Sequence, residues 1–174
     1  LMADALRATR GVRGFHEALR LFLVEASKPL RAAQADTIAR DGITWVNSAA
    51  ELPRDLPLFL VANEFFDALP IRQFKREGEM WRERMVGLDA QGVLQSGWSA
   101  PKPVPDLDER LEGTRTGDIV ELSPQSIAIA GEIGRRITDN GGAALIVDYG
   151  DWRSLGDTFQ AVEKHATADP LASP

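Results

Sequence analysis

The sequence predicts an α/β fold, a mainly parallel sheet with helices between its strands and an antiparallel insertion. Three observations predict it. Short apolar runs at residues 19–24, 43–46, 58–61, 119–122 and 143–147 read as strands; the unbroken run at 58–61 fits a strand covered on both faces. Capped helical stretches alternate with these runs, which argues for parallel pairing. Between residues 71 and 99 the period changes to that of antiparallel strands, IRQFKRE, MWRERMV and VLQSGWS, with turns near Gly78 and Gln91-Gly92.

The elements follow in order. Leu1 to Arg7 reads as a helix already under way, with apolar residues near helical spacing and no capping residue before it. After the first strand, Ser27 offers an N-cap and Pro29 a first-turn residue. Leu30, Ala33, Ala35 and Ile38 supply the inner face of a helix ending near Asp41-Gly42. Two strands follow, at 43–46 and 58–61. Beyond the insertion, a Pro-rich stretch from Pro101 to Pro105 leads through a charged connection to the strand at 119–122. Ser123 then caps a helix with Pro124 at its first position and Ile127, Ala130, Ile133 and Ile137 inside. Asn140-Gly141-Gly142 stops it, and 143–147 is a further buried strand. The sequence has no internal repeat.

Composition narrows the function. A chain of 174 residues, 44% apolar, supplies an ordinary single-domain core, burying about 70% of its unfolded surface. A formal charge of −6 argues against nonspecific nucleic-acid or anionic-membrane binding, which needs clustered Lys and Arg. No apolar run approaches the roughly 20 residues of a membrane span, and no cleavable signal is expected. Cysteine is absent, so there is no thiol nucleophile or disulfide framework; His16 and His165 are a poor metal set, and no metal is expected. A reducing, cytoplasmic compartment fits these absences.

The polar residues beyond the strand ends carry the chemistry, because ligands of open α/β sheets bind past the carboxyl ends of the strands. Asn63, Glu64 and Asp67 follow the strand at 58–61 within six residues. On a helical turn, the spacing of Glu64 and Asp67 puts both on one side; the plainer alternative is a strand end whose acids bond nearby N–H groups. Glu25 ends the strand at 19–24 and suits two hydroxyl hydrogen bonds from an adenosine ribose. That geometry serves a dinucleotide as well, and a carboxylate bonded to the N–H groups of the following helix is the structural alternative. Asn47 follows the next strand, where a simple turn residue is as good a reading. Glu121 ends the strand at 119–122, either as a third functional carboxylate or as a cap of its neighbouring helix. Arg72, Lys75, Arg76, Arg82 and Arg84 interleave with Glu77, Glu79 and Glu83 as a solvated hairpin with cross-strand pairs. Trp81 and Trp98 read as hairpin packing.

The string Asn63-Glu64-Phe65-Phe66-Asp67-Ala68-Leu69-Pro70 resembles the signature of the MidA-like (DUF185) S-adenosylmethionine-dependent methyltransferases, a family that includes the mitochondrial protein arginine methyltransferase of respiratory complex I assembly. Leu23-Val24-Glu25-Ala26-Ser27, Glu121-Leu122-Ser123-Pro124, Val147-Asp148-Tyr149-Gly150 and Gly156-Asp157-Thr158-Phe159-Gln160-Ala161 match in the family's order. Asp151 and Trp152 fall where relatives vary. The resemblance therefore runs the length of the chain.

The resemblance implies a Rossmann-like class I methyltransferase sheet, incomplete at both ends, with an antiparallel β-hairpin insertion. The chain is expected to be one partial domain, core 1–70 and 119–174 and insertion 71–118. A Glu-Leu-Gly-Pro-Gly-x-Gly-type turn is expected before Leu1. It implies S-adenosylmethionine as cofactor, with Glu25 as ribose ligand and Ser27, Asn47 and Asn63 in the cofactor set; the family often carries an acid where Asn47 stands. For an arginine acceptor it implies Glu64, Asp67 and Glu121 as catalytic carboxylates. They would grip the guanidinium, bias its charge and accept the released proton. Glu64 and Glu121 also resemble the two-glutamate loop of symmetric-dimethylating arginine methyltransferases, although 57 positions separate them here. The implied partner is a protein substrate such as a respiratory-complex subunit, in the cytoplasm of a bacterium or the mitochondrial matrix of a eukaryote. Uncovered sheet edges would leave the chain prone to pair with other chains, which admits a homo-oligomer. Two alternatives stand beside this reading: an NAD-binding oxidoreductase, which shares the need for Glu25, and a non-catalytic assembly factor that holds a partner through the hairpin and its tryptophans.

Overall fold

The computed structural model describes residues 1–150 and 156–172; Asp151 and Trp152 lie outside them. The chain divides into two compact units, one of Leu1–Leu60 with Ile129–Ala144, the other of Val61–Ala128 with the described residues from Leu145 onward.

The first unit opens with α1 (Met2–Ala8) and a single turn, α2 (Phe15–Ala18). Strand β1 (Phe22–Val24) pairs in parallel with β2 (Thr44–Val46), Phe22 opposite Thr44 and Val24 opposite Val46. Helix α3 (Lys28–Ile38) makes the connection, as parallel strands require a crossover. The Ser27 hydroxyl accepts the Leu30 N–H at 3.5 Å, with Pro29 in the first turn, so the cap lies where its residue types put it. The helix ends three residues before Asp41, because Ala39 adopts the left-handed conformation, φ 46°.

The face of α3 differs from expectation. Leu30 is 54% exposed and Ala33 and Ala35 are exposed. The half-buried positions are Arg31, Gln34 and Ile38, because the first two make hydrogen bonds toward the strand ends. Leu6, Leu21, Val46, Leu52 and, from α4 (Pro124–Asn140), Ile133 are the buried apolar residues of this unit. Ile127, expected inside α4, is 68% exposed. Arg136 takes an inner place instead. It is buried, and its guanidinium donates to the carbonyls of Leu52 (2.9 Å), Pro53 (3.1 Å) and Ala50 (3.2 Å) and to Glu132 Oε1 (2.8 Å). Carbonyls in and just after a short 3₁₀ turn (Ala49–Glu51) thereby find donors.

Strands β3 (Leu58–Asn63) and β8 (Gly142–Val147) form a two-stranded pair. In the first unit the Leu58 N–H donates to the Gly141 carbonyl at 3.0 Å; in the second, the Glu64 N–H donates to the Val147 carbonyl at 2.9 Å. Both bonds join residues 83 positions apart, the parallel sense. Gly142, at φ 120°, runs so close to β3 that a Cβ there would lie 2.0 Å from the Leu58 carbonyl oxygen; only glycine fits. These strands are not buried on both faces as their apolar runs predict. Phe59 is 79% exposed and Leu145 60%, and every residue of β8 is exposed. The runs encode strands meant to be covered, and no described part of this chain covers these side chains.

The second unit is built on a four-stranded antiparallel sheet. Strands β4 (Arg72–Glu77), β5 (Met80–Leu88), β6 (Leu94–Trp98) and β7 (Ile119–Leu122) lie in the order β6-β5-β4-β7. Gly78 (φ 62°) and Gly92 (φ 80°) supply the turn residues that favour φ above zero. Strand β7, expected beside the parallel strands, pairs antiparallel with β4, Phe74 opposite Val120. The reason is burial: Phe74 and Val120 form the core of this unit with Trp81 and Leu107, all essentially inaccessible to solvent. Leu107 arrives on a 3₁₀ turn (Pro105–Arg110), and Lys102 bonds the Trp81 backbone in both directions, at 2.9 and 3.0 Å.

Two charged pairs of the hairpin form across strands as read, while Arg84 pairs with Asp157 outside it. Arg72 donates twice to Glu83 (2.7 and 3.0 Å), with Lys102 nearby at 3.3 Å, and Arg82 bonds Glu77. Arg76 departs from that pattern by holding the loop carbonyls of Leu111 and Thr114. Strands β9 (Ala161–Glu163) and β10 (Ala166–Ala168) close a small hairpin turned by Lys164 and His165 at positive φ.

Candidate functional site

The candidate residues fall into a group in the first unit, Glu25, Ser27 and Asn47, and a group in the second, Asn63, Glu64, Asp67 and Glu121.

In the first group, β1 and β2 end in register, so Glu25 and Asn47 follow neighbouring strand ends. Glu25 is half-buried. Its Oε1 accepts the Ser27 N–H at 2.8 Å and its Oε2 the Gln34 side-chain amide at 3.3 Å. The Gln34 carbonyl in turn accepts the Trp45 indole N–H at 2.9 Å. Arg31 ties the two strand ends together, Nε to the Glu25 carbonyl (2.6 Å) and Nη2 to Asn47 Oδ1 (2.8 Å). The helix-capping alternative for Glu25 is therefore partly realised through Ser27. A carboxylate has about four acceptor positions; two are taken here by protein donors, and each oxygen keeps one. That pair of open acceptor positions fits the two hydroxyl donors of a vicinal diol. Ser27 acts through its backbone and its cap, and Asn47 is held by Arg31.

In the second group, Asn63 is the last residue of β3 and is exposed. Glu64 sits just beyond it at φ 50°, a left-handed conformation unusual for a residue with a Cβ. Its backbone is pinned to Val147, while among the described residues nothing donates to its carboxylate. The segment from Glu64 to Pro70 is a bend and turn, not the helical turn that the three-residue spacing suggested. The cause is Asp148: its Oδ2 accepts the N–H groups of Phe66 (2.9 Å) and Asp67 (3.2 Å), and its Oδ1 that of Tyr149 (2.9 Å). Backbone donors that a helix would orient along its axis are gathered onto one side chain. Phe65 and Phe66 pack edge to face at 5.3 Å, and Asp67 is exposed.

Glu121, at the penultimate position of β7, does not cap its neighbour helix; the hydroxyl of Ser123 accepts the Ser126 N–H there, at 3.3 Å. Glu121 Oε1 accepts Gln73 Nε2 (2.6 Å) and the Thr158 N–H (3.0 Å), and Oε2 accepts the Thr158 hydroxyl (2.5 Å). Gln73 is buried and faces Glu121 across the β4–β7 pair. It also donates to Asp157 (2.8 Å) and accepts from Arg84 (2.9 Å), which reaches Asp157 Oδ2 at 2.7 Å. Burial pushes the Asp157 carboxyl up, but the hydrogen bonds from Gln73 and Arg84, with the Arg84 charge, outweigh it and hold the group below its ordinary range. The Arg84 guanidinium lies 4.9 Å from the Trp98 ring centroid, so Trp98 packs against cations, and Trp81 is core.

Asp148, Gln73 and Thr158 organise the site without having been singled out by sequence reasoning. The signal was in view for two of them: Asp148 and Thr158 belong to the matched strings Val147-Asp148-Tyr149-Gly150 and Gly156-Asp157-Thr158. Gln73 offered none, since a glutamine inside a charged hairpin looks like surface.

Comparison with known proteins adds a family. Residues 1–174 match a family described as "Putative S-adenosyl-L-methionine-dependent methyltransferase". The mitochondrial protein arginine methyltransferase NDUFAF7 of Danio rerio is 32% identical over 199 residues, covering 100% of this chain and 47% of that protein. The Homo sapiens protein of the same name is 29% identical over 161 residues, 88% of this chain and 36% of that one. Two solved structures of COG1565 superfamily proteins from Burkholderia thailandensis are each 25% identical. One superposes with a TM-score of 0.64, covering 88% of this chain and 44% of that one. The other, bound to S-adenosyl-homocysteine, gives 0.61, with coverages of 86% and 39%. The α/β architecture is thus that of a methyltransferase-like fold, and the chain spans less than half the length of the curated relatives it matches. With every residue of the sequence inside the family match, the chain belongs to the MidA-like S-adenosylmethionine-dependent methyltransferases.

Proposed function

We propose that this chain is part of a protein-arginine methyltransferase that uses S-adenosylmethionine, with a respiratory-complex subunit as the implied substrate. The sheet is read as Rossmann-like, with residues 71–118 inserted as an antiparallel hairpin on a core of 1–70 and 119–174. The setting is the cytoplasm of a bacterium, or the mitochondrial matrix where the source is eukaryotic, and association with a second copy through open sheet edges is part of the reading.

When bound, S-adenosylmethionine supplies an electrophilic methyl group on a sulfonium. In this reading the two open acceptor positions of Glu25 take the hydroxyls of its ribose, with Ser27, Asn47 and Asn63 completing the cofactor contacts. Methyl transfer is an in-line displacement, so holding the acceptor nitrogen in place supplies much of the rate. Glu64 grips the acceptor guanidinium, Asp67 adds negative charge nearby, and Glu121 accepts the proton that the nitrogen releases.

The observation that most supports this reading is the state of Glu64. It has a positive φ, a pinned backbone and no described donor on its carboxylate. Strained conformations that the surroundings hold in place cluster at functional sites, and an unpaired carboxylate is free to take a planar cation.

The test is calorimetric titration of the full-length protein with S-adenosylhomocysteine, with NAD as control, followed by transfer of labelled methyl to arginine peptides. Binding of the first ligand alone and loss of transfer in Glu64→Gln support the reading. A Glu64→Gln protein that turns over normally removes the catalytic assignment, and binding of NAD instead removes the cofactor.

A further inference from the structure

The hydrogen bonds to Glu121 say more than that it is held. Three of its four acceptor positions are filled, two on Oε1 and one on Oε2, all by neutral donors. Among the described residues no Lys or Arg pairs with it. The nearest guanidinium in this network, Arg84, is held on Asp157 and on the Gln73 carbonyl. Gln73 thus stands between a neutralised ion pair and a carboxylate left with its charge.

We infer that Thr158 and Gln73 are positioning residues that present Glu121 to the acceptor through one open position on Oε2. This rests on the arginine-methyltransferase reading and gives Glu121 a narrower part in it. A bidentate grip on the guanidinium needs one free position on each oxygen, and Oε1 has none. Glu121 therefore meets a single N–H. As the nitrogen–carbon bond forms and the carbon–sulfur bond breaks, the sulfur keeps the electron pair. The nitrogen's proton passes to Oε2, leaving neutral Glu121 and a neutral sulfide. The bidentate grip falls to Glu64, whose carboxylate has no described donor.

Thr158 is the testable member, since Thr158→Val keeps the shape and the backbone N–H and removes only the hydroxyl, while Thr158→Ser keeps the hydroxyl. The full-length protein, saturated with S-adenosylhomocysteine, is titrated with N-acetyl-arginine amide, with N-acetyl-norleucine amide as control. Initial rates are measured with labelled S-adenosylmethionine and a Gly-Gly-Arg-Gly-Gly peptide. Thr158→Val is expected to weaken arginine-amide binding and lower kcat by about 10-fold each, on the scale of a misplaced catalytic group. The affinity for S-adenosylhomocysteine and the KM for S-adenosylmethionine stay within twofold (roughly the noise of such comparisons), and Thr158→Ser restores both losses. If Thr158→Val matches the wild type while Glu121→Gln is impaired, the positioning role is overturned and the arginine reading stands. If the wild type binds the arginine probe no better than the norleucine control, the arginine reading itself fails and takes this inference with it. A Thr158→Ser protein as weak as Thr158→Val assigns Thr158 a packing role and overturns the inference on its own.

Discussion

The Asp148 carboxylate accepts the backbone N–H of Phe66 at 2.9 Å, across 82 positions of sequence. With Asp67 and Tyr149 also donating to it, one side chain shapes the turn that follows β3. Asp148→Ala leaves three N–H groups without this acceptor. The expected loss is about 1–2 kcal/mol in chemical denaturation, since these groups are only partly shielded from water. The amides of Phe66 and Asp67 should exchange faster with solvent than those of β4. Unchanged exchange at both amides would show that the turn holds without Asp148.

Glu64 carries a conflict between stability and function. At φ 50° an L-residue is disfavoured by about 1–2 kcal/mol, and glycine is not. Glu64→Gly should therefore raise the denaturation midpoint by the equivalent of about 0.5–1 kcal/mol, glycine's extra unfolded-state entropy taking back the rest. In the proposed enzyme the same change abolishes methyl transfer. Loss of stability in Glu64→Gly would mean that the side chain packs or bonds in a way that outweighs the backbone.

The pH dependence has a defined sign. The hydrogen bond from Arg72, then Lys102 and the charges of both, hold the Glu83 carboxyl below its ordinary range despite some burial. The unfolded state therefore binds more protons than the folded state at acid pH, and stability rises with pH across that interval. The contribution is full above the unfolded value of about pH 4.3 and is lost as pH falls through the lower folded value. Thermal melts of wild type and Glu83→Gln should converge as the pH is lowered from 6 toward acid (roughly below the ordinary carboxylate range). A gap between them that stays constant would rule out this ion pair as the source.

Arg136 is the least replaceable charge of the first unit. Arg136→Met keeps apolar bulk but leaves the carbonyls of Ala50, Leu52 and Pro53 without these donors, while Glu132 keeps Arg135 and Arg54. Leaving buried acceptors without their donor typically costs about 1–3 kcal/mol. Urea denaturation should show a loss of that order. A loss below about 1 kcal/mol, the level of a surface pair, would mean that water reaches those carbonyls.

Much of the local structure was legible in the residues. Ser27 and Pro29 marked a helix start, Gly78 and Gly92 marked turns, and Asn140-Gly141-Gly142 marked a helix end. These are choices made within a few positions, where φ preferences and side-chain-to-backbone bonds decide. The strings around Glu25, Glu64 and Glu121 likewise marked which residues to weigh, because the polar ends of strands are local features too. Period could not tell which strand β7 would join, since an apolar run of four fits a parallel or an antiparallel partner; burial of Phe74 against Val120 chose β4. Nor could it tell that β3 and β8 would stand exposed, because an apolar run records what should cover a strand and not whether the cover is in the chain. By itself the sequence determined the chemistry on offer, the caps and the turns. The tertiary structure decided what each carboxylate holds, because Thr158 and Asp148 lie 37 and 82 positions from their partners, and only chain pairing brings donors from that distance within reach.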